Sequence, residues 1–227
     1  MKQLGGAIAL LFLASTASAQ VGHSPENSPF RDIEGGQELT LYAGQYNAGA
    51  DPLGVAPKPG PIVGLLYQIH VGGPAEFMVR YGQVRSSRMA VDPTLAKATR
   101  SLGSHNTVIS LYDLDIALNL TGLKSYHHIV PVINMGGGVA SCTCQVDNDE
   151  FQFGTPFALS LGAGLRYVPG GHFQVRVDLN NYLYQTHYPG AYYINSADNT
   201  PFAASETPHS FWKGNPTLSI GVSRLFF

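Results

Sequence analysis

The residues of this chain that could carry chemistry are charged side chains placed at every second position within apolar segments. Asp113 and Asp115 stand on either side of the apolar Leu114, and the same spacing separates Arg176 from Asp178. This spacing places both charges on one face of a β-strand, because successive side chains of a strand point to opposite faces. Eight residues share this setting: Glu38, Glu76, Arg80, Asp113, Asp115, Arg166, Arg176 and Asp178. Held together away from water, such charges either pair with one another or form a path for ions and protons.

The two cysteines of the chain, Cys142 and Cys144, are a second candidate for chemistry. A disulfide bond between residues so close in sequence is strained, but no other cysteine is available as a partner. The alternative is metal capture, which needs further ligands. His127 and His128 are expected at the opposite end of the same predicted strand, too far away to help. The sequence therefore predicts a loop disulfide or an inert pair, and no metal ion or other cofactor.

The elements that position these residues are predicted from an alternation of apolar and polar residues, which recurs eight times along the chain. Each alternating segment is long enough for a tilted membrane-spanning strand of about 9 to 11 residues. The predicted strands are Gln37 to Tyr46, Ile62 to Val71, Ala75 to Arg85, Asn106 to Leu120, His128 to Val139, Thr155 to Tyr167, Phe173 to Tyr184 and Pro216 to Phe227.

The connections between the predicted strands alternate between long and short along the whole chain. The short ones, residues 72–74, 121–127 and 168–172, contain glycine and two of them contain proline, as turns do. This alternation is typical of up-and-down outer-membrane barrels, in which tight turns lie on one side and longer loops on the other. Within the long connection 86–105, Asp92, Pro93 and Gly103 predict a short capped helix.

The two ends of the chain predict export and membrane insertion. Residues 1–19 contain Lys2, an apolar run and the small residues Ala17 and Ala19, the pattern of a secretory signal peptide cleaved after Ala19. Residues 20–36 are predicted to be a disordered lead-in, and residues 37–227 to be the barrel. The last predicted strand ends in the aromatic Phe227.

Composition narrows the class of protein. Only 12 % of the residues are charged and the net charge is −2, which argues against a nucleic-acid partner. After the signal peptide no apolar run approaches about 18 residues, the length of a spanning helix. If the chain crosses a membrane, a closed barrel is therefore the expected architecture, because a barrel also satisfies every backbone hydrogen bond in lipid.

The signal peptide, the eight alternating strands and the terminal Phe227 resemble the small bacterial outer-membrane β-barrel superfamily of the OmpA and OmpX type. The resemblance implies an all-β, eight-stranded, antiparallel, up-and-down transmembrane barrel in the bacterial outer membrane. It implies a monomer that contacts the lipid bilayer and is handed to the barrel-insertion machinery through its last strand. On this interpretation the apolar faces meet lipid, and the eight charges form a pairing network inside a narrow lumen with a structural or surface-interaction role.

Three other functions remain open at this point. The first is a narrow pore or ion channel, suggested by the lumen charges. The second is a secreted, soluble, lipocalin-like barrel with the apolar faces turned inward around a ligand. The third is an enzyme, which we do not predict: eight-stranded lipid A deacylases carry a His-x-Ser pair, and no histidine here is followed by serine at the second position.

Overall fold

The computed structural model describes residues 28–33 and 36–226. The predicted signal peptide, most of the predicted lead-in and the terminal Phe227 lie outside the described residues. None of the helices in the described part of the chain is long and apolar enough to cross a membrane.

Nearly all regular structure in the described residues is β-strand, in agreement with the alternation of the sequence. The strands are β1 (Phe30–Asp32), β2 (Gln37–Tyr46), β3 (Gly60–Gly72), β4 (Ala75–Val91), β5 (Ser101–Asn119), β6 (Lys124–Tyr126), β7 (Ile129–Thr143), β8 (Phe157–Tyr167), β9 (Phe173–His187) and β10 (Ser210–Phe226). A single 3₁₀ turn at Gly190–Tyr193 lies between β9 and β10.

Eight of these strands form a closed antiparallel barrel. Each long strand pairs with the next one along the chain, from β2 through β3, β4, β5, β7, β8 and β9 to β10. The ring closes where β10 pairs with β2, for example between Val222 and Leu41. The predicted fold class is thereby confirmed, and the two additional strands, β1 and β6, are short and lie outside the ring.

The two ends of the barrel differ, as the alternation of connections predicted. At one end, here called the turn end, lie the connections 73–74, 120–128 and 168–172. At the other, here called the loop end, lie loop 1 (residues 47–59), loop 2 (92–100), loop 3 (144–156) and loop 4 (188–209). Loops 1, 3 and 4 are longer than any connection at the turn end, and loop 2 has the same length as the connection 120–128.

The predicted helix in the connection between β4 and β5 is wrong. The ladder between these strands continues from Ser86 and Thr107 up to Val91 and Ser101, so most of the predicted loop is a long hairpin. Asp92 does not cap a helix: its carboxylate accepts hydrogen bonds from the amide and hydroxyl of Thr94 in a tight turn. Ladder pairing outcompetes the cap signals, because too few residues remain between the strands for a stable helix.

The prediction that residues 20–36 are disordered is wrong for residues 30–32. These form β1, which pairs with β6 beneath the barrel, for example Arg31 with Ser125. Ile33 then packs against the barrel core, and its amide donates to the carbonyl of Leu123. A strand of this length is too short to show an alternation of apolar and polar residues, so no pattern predicts it.

The direction of the strand faces decides between a lipid-facing and a ligand-enclosing barrel. Leu159, Val177 and Ile116 point outward and are 43 %, 43 % and 47 % exposed, whereas Arg80 and Asp178 point inward and are 4 % and 5 % exposed. The predicted orientation is confirmed, and the lipocalin-like alternative, which needs the opposite orientation, is excluded.

Candidate functional site

The inner face of the barrel gathers all eight charged residues that the sequence singled out. None of them is more than 7 % exposed. They come from five strands, β2, β4, β5, β8 and β9. A sixth strand, β3, contributes the side-chain amide of Gln68, which bonds to two of them. Buried charges need partners, because an unpaired ion in a low-dielectric interior costs several kcal/mol.

Arg166 of β8 organises the group nearest the turn end. Its guanidinium Nη1 lies 3.1 Å from Glu38 Oε2 and 3.1 Å from Glu76 Oε2. Its Nη2 donates to Glu76 Oε1 at 3.2 Å and to Asn119 Oδ1 at 3.0 Å. One arginine thus joins β2, β4, β5 and β8 across the lumen.

Arg176 of β9 forms a two-pronged pair with a carboxylate on its own strand. Its Nε and Nη2 donate to the two oxygens of Asp178 at 2.6 and 2.9 Å. The Nη1 atom donates to Gln68 and lies 3.6 Å from Glu38 Oε1. Two parallel hydrogen bonds are the strongest form of arginine–carboxylate pairing. The contact with Glu38, which also binds Arg166, links the Arg176 pair to the Arg166 group.

Arg80 of β4 faces two carboxylates of β5. Its nearest nitrogens lie 3.4 Å from Asp113 Oδ2 and 3.8 Å from Asp115 Oδ2. Asp115 also accepts hydrogen bonds from Asn134 at 2.7 Å and Ser160 at 3.2 Å. The Oδ1 atoms of both aspartates have no hydrogen-bond partner among the described residues. The pairing at this level is therefore the least complete of the three groups.

Small residues make room for these long polar side chains. A Cβ atom placed at Gly162 of β8 would collide with the amide groups of Asn180 and Asn134. Asn134 donates to the Asn180 side chain at 3.1 Å, so the glycine leaves space for a polar contact between β7 and β9. Small residues are therefore interspersed with charged ones on the polar strand faces because the long polar side chains need this space.

Apolar and aromatic side chains fill the lumen toward the loop end. The hydroxyl groups of Tyr46 and Tyr184 lie 2.6 Å apart, and Phe153 of loop 3 packs edge-on against Tyr184 with ring centroids 5.6 Å apart. Tyr182 is 2 % exposed, and its hydroxyl oxygen accepts a hydrogen bond from Arg80 Nη1 at 3.2 Å. The buried residues of this layer include Tyr42, Tyr46, Ile62, Val84, Ile109, Leu111, Ala140, Tyr182 and Tyr184.

The lumen contains little free space. At its turn end, an open cavity of about 310 Å³ lies beside Glu76 and Asn119. The cavity lined in part by Ile33, Glu38, Arg166 and Gln174 has a volume of about 20 Å³. Such a volume holds about one water molecule. The amide of Gln174 has no protein partner among the described residues, which suits a bound water. The geometry is that of a filled interior rather than an open passage.

Loop 3 is tied to its neighbours by the buried carboxylate of Asp149. Arg88 Nη1 donates to Asp149 Oδ2 at 2.6 Å, and both side chains have no accessible surface. The hydroxyl of Tyr192 in loop 4 donates to Asp149 Oδ1 at 2.8 Å. Burial and the neighbouring carboxylate raise the pKa of Tyr192 well above its ordinary value, so this hydroxyl remains a donor.

Two further aspartates tie the remaining loops. Asp51 of loop 1 accepts a hydrogen bond from Tyr188 of loop 4, and also one from the amide of Ala56 at 2.6 Å. Asp198 of loop 4 accepts a hydrogen bond from the amide of Lys97 in loop 2 at 2.8 Å and lies 3.8 Å from Arg100. All four loops are therefore joined into one structure, here called the cap.

The cap has a small core of its own above the lumen. Its buried apolar residues are Val55, Ala56, Val91, Phe151, Tyr188, Tyr192 and Ala203. No sequence pattern predicts this cap, and in particular none predicts the contacts of Arg88, Asp149 and Tyr192. Their partners are far apart in sequence and lie in segments without periodic pattern, so only the acidic side chains within the loops hinted at them.

The cysteine pair lies where β7 meets loop 3. Cys142 and Cys144 are joined by a disulfide bond. Cys144 is buried, and its carbonyl oxygen accepts a hydrogen bond from Arg88 Nε at 2.8 Å. The disulfide therefore lies beside the Arg88 and Asp149 pair. His127 and His128 lie at the turn end, and within the described residues no cluster of three potential metal ligands is present.

Comparison with known proteins gives a fold but no sequence family. No protein-family model and no curated protein sequence matches the chain. Among solved structures, it is similar to neisserial surface protein A, with a TM-score of 0.51, 11 % identity and coverage of 88 % of this chain and 98 % of that one. It is also similar to the outer membrane protein OprG from Pseudomonas aeruginosa, with a TM-score of 0.52, 10 % identity and coverage of 86 % and 98 %. The chain has the fold of a small outer-membrane β-barrel.

Proposed function

We propose that the chain is a bacterial outer-membrane protein whose barrel is a closed support for the cap, and that its role is structural or in surface interaction. The observation that carries this proposal is the outward apolar belt. Every barrel strand contributes an exposed apolar residue to it: Leu41, Leu65, Val79, Ile116, Met135, Leu161, Val177 and Ile220. A soluble protein rarely exposes an apolar surface that is continuous around the whole molecule, whereas a lipid bilayer covers such a surface.

The filled lumen favours this role over that of a pore. The Arg166 and Arg176 groups cross the interior near the turn end, and the tyrosine layer and the cap cover it near the loop end. A conducting pore needs a continuous wet path, such as the water-filled lumen of a porin. The same arrangement supports a non-catalytic role, because the buried charged groups bond to one another beneath the cap.

The proposal includes an orientation and an assembly route. Outer-membrane barrels place short turns in the periplasm and longer loops outside, so the cap faces the exterior and β1 lies in the periplasm. The sequence-based predictions of a signal peptide over residues 1–19 and of recognition by the insertion machinery through Phe227 belong to this proposal. So does the monomeric state.

The test combines labelling with electrical recording. Single cysteines replace Leu161 and Val177 on the belt, and Leu95 in loop 2 as the aqueous control. In intact membranes we expect lipid-soluble maleimides to label the belt positions and water-soluble maleimides to label position 95. Aqueous labelling of position 161 would refute lipid exposure. In planar bilayers the purified protein is expected to give no steady conductance, and reproducible unit currents would favour the pore instead.

A further inference from the structure

A groove in the cap separates loop 3 from the upper end of β9. It has a volume of about 560 Å³ and is lined on one side by residues 150 and 152–156 and on the other by residues 187–189. This volume falls within the range of about 300 to 1,000 Å³ that is usual for ligand sites. Phe153 supplies aromatic surface, Tyr188 is buried in the wall, and Gln152 and Thr155 supply exposed polar groups.

One wall of the groove is an unpaired strand edge. The ladder between β8 and β9 ends at Ala158 and Tyr184, but β9 continues to His187. The amide of Tyr188 donates to the carbonyl of His209 on the β10 side. Because backbone groups alternate along a strand, the amide and carbonyl of His187 point the other way, into the groove. The ladder with β8 does not reach His187, and no hydrogen bond joins these two groups to a loop of the described residues.

The chain itself cannot fill this edge. Gly154 has a left-handed backbone, with φ of +67°, which only glycine adopts readily. β8 begins at Phe157, and its pairing with β9 begins only at Ala158. Pro156 has no amide hydrogen, and its carbonyl accepts a hydrogen bond from Ala140 on the opposite side. Loop 3 thus runs beside β9 without pairing with it.

The charge of the groove is negative. Glu150 is exposed and is the one permanently charged residue among those that line it. The nearby Asp147 is also exposed, whereas the side chain of Asp149 is inaccessible and paired with Arg88. A ligand that brings a positive charge to Glu150 is therefore favoured.

We propose that this groove binds an extended segment of a partner polypeptide, which pairs with the free edge of β9 at His187 and sets a lysine or arginine against Glu150. Backbone pairing supplies affinity in this mode of recognition, and the flanking side chains select the sequence. The inference rests on the proposed function in one respect, since the cap must face the exterior to meet such a partner.

The test uses the full-length protein in nanodiscs of zwitterionic lipid. The probe is a fluorescein-labelled, capped hexapeptide, Thr-Val-Lys-Val-Thr-Val, measured by fluorescence polarisation. Two variants of this peptide, here called the N-methyl twins, carry N-methyl groups on alternate amides. One twin is methylated at the odd-numbered residues and the other at the even-numbered residues, so that only one of them loses the amide donors that face β9. We expect saturable binding of the parent peptide, and loss of binding for one twin only.

Three variants locate the site. His187→Pro removes one backbone donor and is expected to weaken binding about three- to tenfold, because a hydrogen bond contributes about 0.5 to 1.5 kcal/mol. His187→Ala keeps the backbone donor and is expected to stay within about twofold of the parent protein. Glu150→Gln is expected to weaken binding about two- to fivefold, and the loss should shrink at high salt.

Several outcomes would overturn the proposal. They are absence of saturable binding at millimolar peptide, equal binding by both N-methyl twins, or equal binding by the Glu150→Gln and parent proteins. Heat-modifiable migration on a detergent gel checks that each variant is folded. If His187→Pro does not fold, the N-methyl twins and the Glu150→Gln variant test the proposal without it. Failure of the proposed function would appear separately, as aqueous labelling of the belt cysteines.

Discussion

Arg88 and Asp149 form an ion pair at 2.6 Å in which neither side chain has any contact with solvent. The arginine belongs to the barrel wall and the aspartate to loop 3. Asp149 also accepts a hydrogen bond from loop 4, so the position of two loops depends on one carboxylate.

Asp149→Asn should therefore open the cap while leaving the barrel intact. Removing one partner of a buried pair costs about 3 to 5 kcal/mol, because the remaining charge stays buried without compensation. We expect loops 3 and 4 to be cleaved by added protease many times faster, measured by mass spectrometry of the fragments. Asp147→Asn, an exposed neighbour, is the control and should be cleaved at the parent rate. Equal protection of Asp149→Asn would show that the apolar core of the cap holds the loops by itself.

The lumen aspartates should differ in their contribution to stability. Asp178 is bound by two nitrogens of Arg176, so Asp178→Asn should lower the free energy of unfolding by about 3 kcal/mol. Asp115 competes with Asp113 for Arg80, so Asp115→Asn removes a repulsion and should be neutral or stabilising. Urea-induced unfolding from liposomes measures both variants. A loss for Asp115→Asn as large as that for Asp178→Asn would contradict this account of the Arg80 group.

Arginine substitutions should map the depth of the apolar belt. Leu161 lies on the outer face of β8 in the middle of the strand, opposite Met135. Leu161→Arg should destabilise the barrel in liposomes by about 2 to 4 kcal/mol. Thr143→Arg, at the loop end of β7, should cost about 1 kcal/mol or less, because the penalty falls toward the interface. If both variants lose the same stability, the belt does not lie across the bilayer as proposed.

The contact between loops 2 and 4 should weaken in acid. Hydrogen bonds from Ser196 and Thr200, together with that from the Lys97 amide, hold the pKa of Asp198 below its ordinary value. A carboxylate with a lowered pKa stabilises the folded state above its unfolded pKa of about 3.9, and this contribution is lost as the pH falls below that value.

Hydrogen exchange at the Lys97 amide measures this change. After correction for intrinsic rates, protection should decline as the pH falls from about 5 to 2, and Asp198→Asn should show low protection throughout. An unchanged pH profile in the variant would mean that another group controls the contact.

The sequence was most informative where the strands cross the apolar belt. There, alternation of residues such as Leu159 and Ser160 reflects two different environments, an exposed apolar outer surface and a polar lumen, and this contrast identifies all eight barrel strands. Above the belt Ser86, Ser87 and Arg88 follow one another and place polar side chains on both faces of β4, so the pattern disappears. For this reason the sequence predicts a loop where β4 extends over Ser86 to Val91.

The contacts that build the cap could not be predicted for a different reason. Asp51 and Tyr188 are separated by 137 positions, and Lys97 and Asp198 by 101. Periodicity within a segment carries no information about such partners. The lumen residues can be identified as a set from the sequence, since each lies on the polar face of its strand. Which carboxylate pairs with which arginine, however, depends on the strand register and on the tilt of the strands around the barrel.

An aspartate from each of three loops binds a residue of another loop. Substitutions in the four loops of the exposed rim are therefore expected to depend on one another during evolution. A substitution in loop 1 changes the contacts that hold loop 4 in place, and through loop 4 it changes those of loops 2 and 3. Diversification of this surface under selection would then proceed by linked sets of substitutions instead of independent changes in single loops.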